Sequence, residues 1–133
     1  MKVKGDIELI EREIKNTIAK STLVSVILFG SSVNSVKKAN DYDVLIITKK
    51  LPQKEWLLAG KIKANLLGKV TKPIDLVFLE EEDLNYSTSL LYEVTKKNML
   101  IYGRDVISQL KRNSKNIRAL FERGVKVGWQ IAQ

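Results

Sequence analysis

The chain of 133 residues contains no cysteine and no histidine. The first absence excludes disulfides and thiolate nucleophiles; the second excludes a Ser-His-Asp triad and ordinary zinc sites. Any chemistry must therefore rest on carboxylates, lysines, arginines, hydroxyls and added metal ions. Only two prolines are present, Pro52 and Pro73, and each interrupts the chain between apolar segments. No run of 18 or more apolar residues occurs, so no membrane-spanning helix is expected. The opening MKVKGDIELI has no apolar signal core, and a cytoplasmic location is the default expectation.

What is present is ordinary for a globular domain: 44% apolar and 29% charged residues. The length suits one domain over residues 1–133. The net charge of +8 suits nucleic acid, an acidic protein or a polyphosphate as partner, or simply a lysine-rich solvated surface. The lysines are spread along the chain and form no basic tail. No zinc finger, RNA-recognition or helix-turn-helix pattern is visible, so nucleic acid is not the expected partner.

The organising stretch runs from Val26 to Ile47. Val26 to Phe29 is a continuous apolar run closed by Gly30, which reads as a buried strand followed by a sharp turn. Gly30 lets a ligand approach the main chain closely. Ser31 and Ser32 are N-cap residues for a short helix over about 32–38, whose free N–H groups suit a phosphate. Asp41 and Asp43 are two apart, so on a strand their side chains share one face. Val44 to Ile47 carries that strand into a core. A further strand is expected from Pro73 to Leu79, and Asp75 is its only charge. If the two strands are neighbours, Asp41, Asp43 and Asp75 converge. Such hard oxygen ligands favour Mg²⁺, or Mn²⁺, and three carboxylates with a nucleoside triphosphate call for two ions, the arrangement of in-line phosphoryl or nucleotidyl transfer.

Gly30-Ser31, nine residues, Asp41-Tyr42-Asp43 and the later Asp75 together resemble the signature of DNA polymerase β-like nucleotidyltransferases. The compact form is similar to the minimal nucleotidyltransferase (MNT) family, which includes antitoxins encoded beside HEPN-type toxins. The segment from Leu91-Tyr92-Glu93 to Met99-Leu100-Ile101-Tyr102-Gly103 resembles that family's closing helix and strand. The resemblance implies an α/β (α+β) nucleotidyltransferase fold: a small mixed β-sheet flanked by helices, with its core over about 20–104 and a C-terminal helical extension over 105–133. It also implies ATP or another NTP as substrate, held at Gly30, Ser31, Ser32 and Lys37. Asp41, Asp43 and Asp75 would be the catalytic and metal-binding residues, and a tyrosine hydroxyl of a HEPN partner the acceptor. Where many members carry Ala-Arg-Gly two residues after the Gly-Ser, this chain has Val33-Asn34-Ser35, leaving Lys37 and Lys38 as the nearby cations. Two readings follow: an AMP-transferring enzyme, or a non-catalytic antitoxin on the same fold.

The remaining segments read as scaffold. Ile7, Ile10, Ile14 and Ile18 form an apolar stripe on a first helix over 6–20, with Asp6 as its cap. A helix over 53–67 buries Leu58, Ile62 and Leu66. Its polar side carries Lys54, Lys61 and Lys63, a solvated face or a contact for a nucleotide or acidic partner. Trp56 is read as core or helix-packing surface, with base stacking as the alternative. Glu80 to Asp83 is read as a solvated turn or first helical turn. A helix over 87–97 buries Leu90, Leu91 and Val94. The last stretch, with Phe121 and Trp129 on an apolar side, suits packing on its own domain or on a twin subunit in a homodimer.

Overall fold

The computed structural model describes residues 2–33, 40–86 and 88–112, and side chains from residue 5 onward. Helix α1 (Lys2–Thr17) leads into strand β1 (Leu23–Phe29), a 3-10 turn (Gly30–Val33) and strand β2 (Tyr42–Thr48). Helix α2 (Glu55–Leu66) crosses to strand β3 (Ile74–Glu80). A second 3-10 turn (Glu81–Asn85), helix α3 (Ser89–Lys96) and strand β4 (Asn98–Gly103) follow, and residues 107–112 are helical. The expected elements that fall on described residues are present, with their ends within four residues of those expected. The expected helix over 32–38 falls partly on residues outside the described ones; its start is a 3-10 turn that already begins at Gly30. The rest of the predicted C-terminal helix also lies outside the described residues.

The sheet is mixed, in the order β3-β2-β1-β4. β1 pairs antiparallel with β2 and β4, whereas β2 and β3 are parallel, which requires a crossover, here α2. Period-two alternation divides the strands between two cores. Val26, Leu28, Tyr42, Val44, Ile46 and Ile74 face α1 and α2, where Ile10, Ile14, Ile62 and Leu66 meet them. Ile27, Phe29, Leu45 and Ile47 face α3 and the last helical segment, meeting Leu84, Leu91, Val94, Val106 and Leu110.

Asp6 differs from its expected role. α1 begins four residues earlier, so Asp6 is not a cap but an interior residue, only 3% exposed. It stands four residues before Ile10, on the buried stripe, and its Oδ2 accepts a 2.6 Å hydrogen bond from the Tyr42 hydroxyl. The same oxygen accepts from the Thr71 N–H at 3.1 Å and from the Thr71 hydroxyl. The Tyr42 N–H donates in turn to the Pro73 carbonyl at 2.9 Å. Burial, with the Asp6 bond second, pushes the Tyr42 phenol up from its ordinary value. One fully buried tyrosine thus fastens α1, β2 and the loop before β3. Tyr42→Phe is expected to lower stability by about 1–2 kcal/mol in urea denaturation, because Asp6 keeps its Thr71 donors.

Candidate active site

Tyr42 also settles the orientation of its neighbours. With its ring turned toward α1, Asp41 and Asp43 on either side project to the opposite face. The register completes the set: Asp43 lies directly across from Asp75 on β3 and from Phe29 on β1. One carboxylate oxygen from each of Asp41, Asp43 and Asp75 lies within 4.8 Å of the others. Asp41 and Asp43 are half-buried and Asp75 is exposed. The three expected aspartates are therefore brought together.

Three carboxylates this close compete for protons. A hydrogen bond to Asp75 raises the Asp41 carboxyl above its ordinary value, with burial and the Asp75 charge adding to it. Burial raises Asp43, reinforced by the charges of Asp41 and Asp75. Carboxyls raised by one another's charge mark a site short of positive charge. The donor set of hard oxygens on one open face fits Mg²⁺ or Mn²⁺, and nothing in it fits a soft metal.

Gly30 closes the site on the β1 side. Its φ is +82°, a backbone region that disfavours side chains, and a Cβ there would stand 2.8 Å from Asp43 Oδ2. The glycine is required twice over, for the turn and for the space beside the carboxylate. Its N–H is held by the Lys97 carbonyl at 3.2 Å. Ser31 is exposed, whereas Ser32 is 1% exposed and its hydroxyl has no hydrogen-bond partner among the described residues. Lys37, the fourth expected phosphate contact, lies outside the described residues, as does Lys38.

Other acidic and aromatic candidates are placed elsewhere. The Glu80–Asp83 run begins at the far end of β3 from Asp75. Glu80 and Asp83 cap each other reciprocally, and Glu81 pairs with Arg104 at 2.8 Å, so this run is a turn, as expected. Trp56 departs from expectation: it is 63% exposed on α2. Among the described residues, no helix is long and apolar enough to cross a membrane.

A family model described as polymerase beta nucleotidyltransferase matches residues 12–107, which span both the Gly-Ser turn and all three aspartates. A search of curated protein sequences finds no significant match. Among solved structures, a toxin-antitoxin bound to AMP-PNP superposes with a TM-score of 0.65 at 23% identity, over 92% of this chain and 95% of that one. The complex of a tri-AMPylated Shewanella oneidensis HEPN toxin with its MNT antitoxin gives 0.62 at 22% identity, over 93% and 94%. Spectinomycin adenyltransferase from Enterococcus faecialis, with ATP and spectinomycin, gives 0.63 at 19% identity, over 80% of this chain and 58% of that one. At these identities the likeness is one of fold.

Proposed function

The chain belongs to the polymerase β-type nucleotidyltransferase family, and on that premise we propose that it is a Mg²⁺-dependent enzyme that transfers AMP from ATP to a hydroxyl of a HEPN-type partner protein, silencing it as an antitoxin. The observation that carries this reading is the convergence of Asp41, Asp43 and Asp75 within 4.8 Å, beside a glycine turn that cannot carry a side chain. Asp41 and Asp43 would hold two divalent ions, and Asp75 would complete the site of one of them. Ions bound there supply charge neutralisation for phosphate oxygens and acidify a nearby hydroxyl.

The chain's own residues do the rest. Gly30 leaves room for phosphate oxygens next to the carboxylates. The buried Ser32 hydroxyl, otherwise unpartnered, donates to one of them, and exposed Ser31 offers a second donor. Asp75, the most open of the three carboxylates, accepts the proton of the attacking hydroxyl as the new P–O bond forms and pyrophosphate leaves. The similarity of the fold to a complex with an AMPylated HEPN toxin supports a protein acceptor. A second reading is a non-catalytic antitoxin that blocks its partner by contact. It is favoured by one observation, the Val33-Asn34-Ser35 that stands where many members carry an arginine.

Transfer of label from α-labelled ATP to the HEPN-type partner decides between them. Label that moves with wild type and not with Asp41→Asn/Asp43→Asn is the expected result. No label and no calorimetric binding of Mg·ATP would leave the contact-only reading. Ser32→Ala is expected to weaken Mg·ATP binding about tenfold, the loss of one hydrogen bond to a charged oxygen, without lowering the melting temperature.

A further inference from the structure

The chain's positive charge is gathered in one part of its fold. Residues 49–72, the crossover from β2 to β3, hold seven lysines and one glutamate, a net +6 of the whole chain's +8. Six of the lysines, Lys49, Lys50, Lys54, Lys61, Lys63 and Lys69, are exposed. The ion pairs among the described residues all lie elsewhere, on α1, on α3 and between Arg104 and Glu81. Among the described residues, the same stretch carries most of the large apolar side chains left in solvent: Trp56 at 63%, Leu57 at 59% and Leu67 at 83%, with Leu51 at 40%. Apolar groups of this size among cations mark an interaction surface.

The surface has a shape. Trp56, Ala59, Gly60 and Lys63 of α2 form one wall of a groove of about 720 Å³. The other wall is Leu76, Val77 and Phe78 of β3, one of the sheet's two edge strands. No described residue pairs with the outer side of β3, whose second residue, Asp75, lies one position before the groove. The position matters for the transfer proposed above. An in-line displacement has the entering and leaving groups on opposite sides of phosphorus. Gly30 and Ser31 follow β1, on one side of Asp43, and Asp75 lies on the other. With pyrophosphate leaving on the β1 side, the acceptor hydroxyl enters from the β3 side.

Charge selects the occupant. A second copy meeting this face with its own would present the same +6, and residues 113–133 of the chain carry four cations against Glu122. Both are repelled. A nucleic acid would neutralise the lysines but leave Leu57 and Leu67 without partners. We propose that α2, with the groove along β3, is the docking face for the acceptor protein, and that the acceptor meets it with an acidic rim around an apolar centre. The proposal rests on the reading of function above for the identity of the acceptor.

The test is calorimetric titration of the full chain with the purified HEPN-type partner, a single-stranded RNA, a DNA duplex and Mg·ATP. Lys54→Glu/Lys61→Glu/Lys63→Glu is expected to bind the partner about a hundredfold more weakly, and Trp56→Ala about tenfold. Both should melt like wild type and bind Mg·ATP unchanged. In transfer, the KM for the partner should rise while kcat at saturation holds. Arg12→Glu/Lys20→Glu, a reversal on the side of α1, should change nothing. Unchanged partner affinity in the first two variants overturns the proposal, as does an equal loss in the α1 variant. Tighter binding of RNA or DNA than of the partner, lost on lysine reversal and indifferent to Trp56→Ala, overturns it in favour of nucleic acid. Failure of wild type to bind Mg·ATP would sink the proposed chemistry alone, since partner affinities still decide the face.

Discussion

Replacing Asp43 by asparagine should make the metal-free protein more stable while lowering transfer about a thousandfold, or roughly 4 kcal/mol of transition-state stabilisation. The two effects have one cause. Asp43 is half-buried, opposite Asp75 and beside Asp41, and burial and both neighbouring charges raise its proton affinity. A carboxyl whose folded value lies above its unfolded value binds more protons in the folded state, so stability falls as pH rises through that window. At neutral pH the ionised cluster opposes folding, and asparagine removes one charge from it. The expected gain is about 1 kcal/mol, the scale of like charges facing across strands, or a few degrees in melting temperature. The gain should fade as pH drops through the ordinary carboxylate range, where wild type also becomes protonated. Adding Mg²⁺ should reverse the order, stabilising wild type and leaving Asp43→Asn where it was. Thermal denaturation across pH, with and without Mg²⁺, reads all of this. A variant less stable than wild type without metal at neutral pH would show that the aspartate is held by partners other than an ion.

The largest loss of stability is expected at the opposite end of the sheet. Gly103 closes β4 with φ +89°, paired with Ser25 of β1. A Cβ added there would stand 2.1 Å from the Val24 carbonyl oxygen and 3.0 Å from Ser25 Cα, all backbone atoms that no rotamer change can clear. Gly103→Ala must either adopt a conformation that L-residues disfavour or push β4 off β1. About 3 kcal/mol is expected, a fall of roughly 10 °C for a domain of this size. Because Gly103 pairs near the start of β1 and the carboxylates lie level with its end, the folded fraction should still bind Mg·ATP. A melting temperature within a degree or two of wild type would show that β4 is not held where this packing puts it.

The convergence of the three aspartates was legible in the sequence because they are close together or chemically conspicuous. Asp41 and Asp43 share a face by strand periodicity alone, and Asp75 stood out as a lone charge in an apolar run. What the residues could not supply was the register that sets Asp43 across from Asp75, a long-range fact decided by how both strands pack. Two side chains were misread although a signal existed. Asp6 stands at the same four-residue spacing as Ile10, Ile14 and Ile18, which marks it as facing the core; its partners Tyr42 and Thr71, distant in sequence, are what make that burial tolerable. Trp56 lies two residues, about 200° of helical turn, before Leu58, on the far side from the stripe that buries Ile62 and Leu66. Its size suggested core, but its phase did not. The seven lysines of residues 49–72 could be counted in the sequence, but that they sit on one crossover beside an edge strand became visible only when the strands on either side were placed.

The buried Tyr42 has one more consequence. It fixes the starts of β2 and β3 directly, through Asp6, Thr71 and the Pro73 carbonyl, so their alignment does not depend on the surface of the helix that travels between them. Substitutions on the outward side of that helix can accumulate without displacing a carboxylate by a fraction of an ångström. On the docking face proposed above, repainting that one helix would change the recipient and leave the carboxylates where they are.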